Sequence, residues 1–295
     1  MAVRKDTIFE RFLAPVIRLL IDEPALQRFY ETTDWQAASD RFQRDDLSYP
    51  AYYINQNYHG IEGGYLAPGA AVSYDPITQY VVLPNETLIR QGLVDRVQGQ
   101  PRRILDLGCG TGSTTLLLKQ AFPQAEVIGL DLSPYMLFMG DRKAQQAGLT
   151  IQFLHGNAEQ TGFADAAFDV VTASLLFHEV PPTVAQAILR EANRLLSVGG
   201  QVLILDGNQQ TLRQTSWLNN VFEEPYIHAY AAGSVDAWMG AAGFRAVQTE
   251  DQWWLNQITR GVKPLPNQDF EPLEAANPTV AQKEDWPGFP APAFH

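Results

Sequence analysis

The chain has 295 residues, 45% hydrophobic content and a formal net charge of −12. Its length and hydrophobic content are sufficient to bury a large core, as one domain or one domain with a cap. So acidic a composition argues against nucleic acid or an anionic membrane as partner, because both attract basic surfaces. The single cysteine, Cys109, excludes an internal disulfide and a multi-cysteine metal site, and a reducing cytoplasm is the simplest setting.

Residues 1–100 are interpreted as an N-terminal helical and aromatic cap. Apolar residues from Ile8 to Ile21 recur at helical spacing, which predicts an amphipathic helix packed on the body. A lid or a membrane-surface helix is the alternative, so peripheral membrane contact stays open. Charged residues interrupt this run, and no apolar run reaches about 18 residues, so neither a signal peptide nor a transmembrane segment is expected.

Residues 101–262 alternate strand and helix patterns. The helices are predicted at 113–121, 134–147 and 183–196. The strands are predicted at RILDLG, EVIGLD, TIQFLHG, FDVVTAS and GQVLILD. Strands that alternate with helices of 10 to 15 residues indicate a parallel sheet with helices on both faces.

Residues 208–262 add an insert at about 208–233 and then a final helix, VDAWMGAAGF. FRAVQTED and WWLNQITRGVK are predicted as two strands joined near Asp251 and Gln252, which gives the sheet an antiparallel edge. Trp253 and Trp254 would then point to opposite faces of the last strand. Residues 263–295 form a Pro-rich, acidic tail without periodicity.

The stretch ILDLGCGTGSTTLLL is a strand, a glycine turn and a helix. Such a turn is a nucleotide site, since glycine lets the backbone approach the ligand and the helix start offers free N–H groups. A phosphate-gripping P-loop is excluded because no lysine follows. Gly108, Gly110 and Gly112 read G-x-G-x-G rather than the dinucleotide G-x-G-x-x-G, a weak distinction by itself.

Two acidic residues refine this choice. Asp131 ends the second strand, where it can accept hydrogen bonds from both ribose hydroxyls of either an NAD-type or an adenosyl-methionine cofactor. Asp106 precedes the first glycine by two residues. It would oppose a pyrophosphate but would help to bind a cationic amino-acid end, which favours the second cofactor.

Four motifs follow one another in order: ILDLGCGTG, VIGLDLSPYML, HGNAEQTGFADAAFDVV and ILREANRLLSVGGQVLILD. Their order and spacing resemble the class I S-adenosylmethionine-dependent methyltransferases, and most closely the small-molecule branch that includes quinone-biosynthesis enzymes. The resemblance covers roughly residues 100–260. It implies an α/β fold with a doubly wound, seven-stranded Rossmann-like sheet and S-adenosyl-L-methionine as cofactor.

The resemblance also implies roles for individual residues. Asp106 and the glycine turn would face the methionine moiety, and Asp131 would bind the ribose. Asn157 would meet the adenine edge, where the family usually has Asp. The remaining cofactor residues implied by the resemblance are Gly108, Cys109, Gly110, Gly112, Leu132, Met136, Ala158 and Ser174.

Acceptor chemistry is expected where the fourth and fifth strands end. His178 is a candidate general base, and Glu179 a candidate partner, with pocket wall and helix cap as the structural alternatives. Asp206, Tyr58, His59 and Tyr65 are candidate substrate residues, although the aromatic residues could equally stabilise the cap. Glu223 and Glu224 could meet a cationic acceptor. No H-E-x-x-H motif or paired Cys or His cluster is present, so no catalytic metal is expected.

The sequence therefore predicts a cytoplasmic methyltransferase that acts on a small organic acceptor, and the aromatic cap favours an apolar or aromatic one. A non-catalytic, cofactor-binding assembly partner and an NAD-type oxidoreductase are the alternatives. No nucleic-acid partner is expected, and the sequence is silent on oligomeric state.

Overall fold

The computed structural model describes residues 14–215 and 224–265, and its centre is a seven-stranded sheet in the order β3-β2-β1-β4-β5-β7-β6. The strands are β1 Arg103–Leu107, β2 Glu126–Asp131, β3 Gln152–His155, β4 Phe168–Ser174, β5 Leu196–Gly207, β6 Arg245–Gln252 and β7 Asn256–Val262. Strands β1 to β5 pair in parallel, whereas β7 pairs antiparallel with both β5 and β6. The predicted doubly wound sheet and its antiparallel edge are confirmed.

Helices cover this sheet. In the described residues they are α1 Ala14–Leu20, α2 Glu23–Thr32, α3 Trp35–Asp40, α4 Ala51–Ile54, α5 Pro68–Val81, α6 Glu86–Asp95, α7 Ser113–Ala121, α8 Pro134–Gln146, α9 Pro182–Leu195, α10 Gln209–Gln214, α11 Ile227–Ala232 and α12 Val235–Ala241. Ser133 caps α8 by accepting the Met136 N–H at 3.3 Å, and Pro134 occupies the first turn. Three-residue helical turns lie at Tyr58–Gly60, Gly64–Leu66 and Phe177–Glu179.

The core lies on both faces of the sheet because successive strand residues point to opposite faces. In β1, Ile104 packs with Ile89 of α6 and Leu118 of α7, whereas Leu105 packs in the cluster that contains Ile188 of α9. Helix α6 lies in the range assigned to the cap, yet it covers the sheet directly. The described residues up to Pro264 belong to one compact unit.

The predicted N-terminal amphipathic helix is described over α1. Ile17 is buried, but Val16 and Leu20 are each 56% exposed and Leu19 is 87% exposed. The earlier apolar positions, Ile8, Phe9, Phe12 and Leu13, lie outside the described residues. Within residues 14–215 and 224–265, no helix has the length and apolar character to span a membrane.

The predicted position of Trp253 and Trp254 within the last strand is wrong. Both side chains lie in the turn between β6 and β7, where they are 56% and 64% exposed, and Trp253 has a φ of 59°. Asn208 explains the early turn, because its N–H donates to the Leu255 carbonyl at 2.8 Å and its Nδ2 donates to Asp251 at 2.8 Å. These bonds end β6 at Gln252.

Helix α5 joins the aromatic segment to the sheet through one carboxylate. Asp75 Oδ2 lies 2.7 Å from Lys143 Nζ of α8, and Asp75 Oδ1 accepts a hydrogen bond from Thr111 Oγ1 in the glycine turn at 2.5 Å. Ser113 Oγ lies 3.4 Å from the same oxygen. Asp75 thereby fixes α5 against the turn that follows β1.

Candidate active site

The glycine turn after β1 adopts a backbone that only glycine tolerates well. Gly108, Gly110 and Gly112 have φ values of 61°, 53° and 77°. A Cβ on Gly108 would lie 2.7 Å from Leu176 Cδ1, whereas a Cβ on Gly110 would meet nothing within 4 Å. At Gly108 the turn therefore packs closely against Leu176 in the loop after β4, whereas at Gly110 it leaves open space.

Asp131 ends β2 beside this turn. Its Oδ2 accepts the Gly110 N–H at 2.8 Å, and its Oδ1 accepts the Ser133 N–H at 2.8 Å. Burial raises the pKa of Asp131 to about 6, although these two backbone hydrogen bonds act against that rise. Each carboxylate oxygen thus accepts one backbone hydrogen bond, and each keeps a lone pair available for a ligand hydroxyl.

A pocket opens at the carboxyl ends of β1, β2 and β4, which is where an open parallel sheet binds ligands. Most of the residues predicted from the sequence line it together. They are Tyr58, Tyr65, Gly108, Cys109, Gly110, Asp131, Leu132, Met136, Asn157, Ala158, Ser174 and Glu179. Burial raises the pKa of the Cys109 thiol, so a reactive thiolate is disfavoured.

Two predicted cofactor residues lie elsewhere. Asp106 is 1% exposed and accepts hydrogen bonds at 2.7 Å from the hydroxyls of Thr115 and Thr172. It is not among the pocket residues, because these hydroxyls hold its carboxylate behind the glycine turn. Gly112 is the residue before α7 and serves the helix start rather than the pocket wall.

Asn157 lines the pocket beyond β3, but its amide oxygen has a local partner. Asn157 Oδ1 accepts the Glu159 N–H at 2.9 Å. The predicted bond from that oxygen to an adenine amine would therefore use its second lone pair.

Part of the pocket lining is aromatic. Tyr58 is 1% exposed, stacks on Tyr65 with ring centroids 5.0 Å apart, and donates a hydrogen bond to the Tyr52 carbonyl at 3.0 Å. Tyr53 and Tyr74 complete this tyrosine wall, which we define as Tyr52, Tyr53, Tyr58, Tyr65 and Tyr74. Its rings are not coplanar, since Tyr58 and Tyr65 stack at an interplanar angle of 21° whereas Tyr65 and Tyr74 meet edge to face at 68°.

Glu179 joins the aromatic wall to the end of β4. Its Oε1 accepts a hydrogen bond from Tyr65 Oη at 2.6 Å and lies 3.0 Å from His59 Nε2. The predicted substrate residue His59 thus contacts Glu179 and Tyr65, at 2.9 Å from Tyr65 Oη, and is not among the pocket residues.

His178 lies behind Glu179. Its Nδ1 is 2.5 Å from Asp206 Oδ1, while its Nε2 is 3.7 Å from Glu179 Oε1 and 3.5 Å from Glu224 Oε2. Asp206 is 1% exposed and also accepts the Phe177 and Gly207 N–H groups, each at 2.7 Å. Asp206 was predicted to face the substrate, but it is not among the pocket residues. It lies behind His178, because these donors turn its carboxylate inward.

Burial and neighbouring charges act in opposite directions on the pKa values of His59 and His178. Burial disfavours the imidazolium of His178, but the carboxylates of Asp206 and Glu224 outweigh it and raise its pKa well above the usual value. The pKa of His59 is also raised, because Glu179 outweighs burial. The pKa of Glu224 is raised by burial. Glu223 lies outside the described residues.

Arg90 is a pocket residue that the sequence reasoning missed. It is 4% exposed, its Nε lies 2.7 Å from Glu86 Oε1, and its Nη1 donates to Thr114 Oγ1 at 2.9 Å. Thr114 in turn donates to Ser174 at 3.0 Å. The available signal was an acid and a base four residues apart on the apolar face of α6.

A family profile described as a methyltransferase domain matches residues 104–200, which span β1 to the start of β5. Residues 104–200 are therefore similar to a methyltransferase domain. The glycine turn, Asp131 and the loop after β3 all fall within the matched range.

Curated relatives agree with this assignment. The methyltransferase domain region is 36% identical over 137 residues to a demethylmenaquinone methyltransferase of Thermus thermophilus, covering 46% of this chain and 61% of that one. It is 34% identical over 142 residues to the demethylmenaquinone methyltransferase of Geobacillus kaustophilus, covering 47% and 60%. The chain thus spans about 60% of the length of these relatives.

Solved structures share the fold. A candidate O-methyltransferase from Nostoc punctiforme aligns with a TM-score of 0.55 at 18% identity, covering 84% of this chain and 72% of that one. A SAM-dependent methyltransferase from Thermotoga maritima aligns with a TM-score of 0.50 at 19% identity, covering 68% and 99%.

S-adenosylmethionine is the methyl donor of class I methyltransferase domains, and the pocket fits it. Asp131 offers a buried carboxylate for ribose hydroxyls, and Gly110 leaves open space at the turn. Arg90 adds a guanidinium to the pocket lining, linked through Thr114 to Ser174, for an anionic group.

Proposed function

We propose that this protein transfers a methyl group from S-adenosylmethionine to a small aromatic acceptor that carries a hydroxyl group, of the quinol type. The observation that carries the proposal is the shared pocket. The glycine turn and Asp131 line it together with the tyrosine wall and Glu179. When bound, the cofactor supplies an electrophilic methyl group on a sulfonium.

The residues divide between two tasks. Asp131 orients the ribose, and Arg90 faces the carboxylate of the methionine end. The tyrosine wall receives a flat ring and excludes water from it, which favours an in-line approach of the acceptor to the methyl carbon. Glu179 supplies the negative charge that orients the hydroxyl group of the acceptor in the pocket.

The name of the demethylmenaquinone methyltransferases supports this acceptor class, because it describes methylation of a quinone compound. The aligned region covers 61% and 60% of the length of these two relatives. The tyrosine wall is the feature of this chain that suits the same kind of ring.

The general-base role of His178 stays a prediction. Its Nδ1 is engaged by Asp206, so Nε2 is the nitrogen left to receive a proton from an acceptor. Glu179 lies between that nitrogen and the pocket, which makes a positioning role for His178 the simpler assignment.

The proposal is tested with methyl-labelled cofactor and four acceptors: a short-chain naphthoquinol, its oxidised quinone, a simple phenol and an aliphatic amine. We expect a labelled product from the naphthoquinol and little from the amine, with products identified by mass. Cofactor binding without transfer to either hydroxylated ring would support the non-catalytic alternative. Transfer to the amine alone would show that the acceptor class is wrong.

Cofactor affinity is expected to fall in acid. Ribose hydroxyls donate to the ionised Asp131, so binding needs the deprotonated form and lowers its pKa. Affinity is then full above pH 6 and declines as the pH falls through that value. Between pH 7.5 and pH 5, the dissociation constant should rise roughly tenfold, measured by calorimetry.

Asp131→Asn is the matched control for that pH dependence. It keeps the shape but removes the titrating group, and it should weaken binding at pH 7.5 by roughly 10- to 100-fold, the scale of charged hydrogen bonds. Its dissociation constant should be nearly flat from pH 7.5 to pH 5. A wild-type affinity that does not change with pH, or a variant that keeps the slope, would contradict the role of Asp131.

A further inference from the structure

Three side chains from separate segments converge beside the pocket. His59 comes from the Tyr58–Gly60 turn, Glu179 from the turn after β4, and Glu224 from the insert, just before α11. One potential ligand atom of each lies within 4.8 Å of the others. We call these three residues the His–Glu–Glu cluster. Their spacing is that of groups able to share one cation.

Two oxygens of the cluster are buried without a hydrogen bond. Glu179 Oε2 and Glu224 Oε2 find no hydrogen-bond partner among the described residues, and both side chains are 9% exposed. Buried carboxylate oxygens are costly unless something satisfies them. Two such oxygens at one place point to a bound positive group.

The distances suit a metal ion better than a larger cation. His59 Nε2 and Glu179 Oε1 are 3.0 Å apart, which is about the separation of adjacent ligands that each bind an ion at roughly 2.1 Å. Nitrogen and carboxylate oxygen together favour a first-row transition metal over Mg²⁺ or Ca²⁺.

Asp206 and His178 complete the arrangement. His178 Nε2 faces Glu179 and Glu224 at 3.7 and 3.5 Å, while its Nδ1 contacts Asp206. Metal-bound histidines commonly have a carboxylate on their other ring nitrogen, which fixes the ring and its tautomer.

We propose that the His–Glu–Glu cluster binds one divalent first-row transition-metal ion, with His178 Nε2 as a fourth ligand. The linear motifs led us to expect no catalytic metal, because the ligands come from three distant segments rather than from one helix. Glu179 also lines the pocket, so the ion has an open side toward the acceptor. There it holds a hydroxyl oxygen of the acceptor, a role that rests on the proposed methyl transfer.

Metal binding is tested on the full chain after chelation, without cofactor or acceptor. Co²⁺ is titrated by visible absorption and Mn²⁺ by electron paramagnetic resonance. We expect one ion per chain. Glu224→Gln and His59→Asn should weaken binding by about 100-fold or more, and Asp206→Asn, which acts through His178, by roughly 10- to 100-fold.

Glu250→Gln is the matched control, because Glu250 is exposed and pairs with Arg96 far along the chain from the cluster. It should bind both ions as the unchanged protein does. Melting curves on every variant confirm that it is folded. Absence of stoichiometric binding at millimolar ion, or equal affinity in folded cluster variants, would overturn the proposed site.

Methyl transfer is then assayed separately with and without chelator. Metal binding with chelator-sensitive transfer supports both parts of the proposal. Metal binding with transfer that ignores the chelator overturns the acceptor-holding role and leaves the site intact. Metal binding without any transfer leaves the site intact and contradicts the proposed function instead.

Discussion

Glu179→Gln should reduce methyl transfer by roughly 10²- to 10³-fold, the scale seen when one preorganised electrostatic group is lost from a buried active site. Glutamine keeps the shape of the side chain and the hydrogen bond from Tyr65 Oη at 2.6 Å. It removes the negative charge that Glu179 brings to the pocket. Turnover is measured with the naphthoquinol under saturating cofactor.

Cofactor affinity provides the internal control for this variant. Asp131 and Gly110, which are proposed to hold the cofactor, make no hydrogen bond with Glu179, so the dissociation constant should change less than about threefold while turnover falls. Glu250→Gln, on the surface, should keep full turnover. A folded Glu179→Gln protein that retains its turnover would exclude Glu179 from the reaction.

The cofactor half of the site could be predicted because its signals are local. A strand, a glycine turn and a helix follow one another within β1 to α7, and Asp131 ends the next strand. In a parallel sheet the carboxyl ends of adjacent strands meet at one edge. Residues that follow β1 and β2 must therefore lie close together, whatever the rest of the chain does.

The acceptor half could be predicted only in part. Tyr58 and Tyr65 line the pocket, and their predicted contact with an acceptor stays a prediction. The contacts that place them join residues over 100 positions apart, as between Tyr65 and Glu179. Likewise, Asp206 is the next-to-last residue of β5, yet two backbone N–H groups and His178 turn its carboxylate inward. No linear pattern records such tertiary contacts.

Hydrophobicity alone misplaced the final turn. The tryptophans next to LNQITRGVK resemble the start of a strand, but hydrogen bonds from Asn208 end β6 earlier and leave Trp253 and Trp254 exposed. Arg90 was overlooked for a related reason. A charged residue in an apolar helical pattern is usually assigned to the solvent side, and only its partner Glu86 justifies its burial.

Arg90→Met should lower the free energy of unfolding by about 3–5 kcal/mol, because it leaves the Glu86 carboxylate buried without its counter-charge. The side chains of Arg90 and Glu86 are 5% and 8% exposed, and Thr78 Oγ1 is a remaining donor to Glu86 at 2.8 Å. Urea unfolding monitored by circular dichroism measures the loss.

The double variant Arg90→Met with Glu86→Gln separates charge burial from packing. Removing both charges of a buried pair is often nearly neutral, so the double variant should recover at least half of the stability lost in Arg90→Met. Arg41→Met, at the exposed end of the Arg41–Asp141 pair, should cost less than about 1 kcal/mol. If the double variant were as unstable as Arg90→Met, the loss would come from packing of the arginine stem against α6 and the glycine-turn helix, since no unpaired carboxylate would remain.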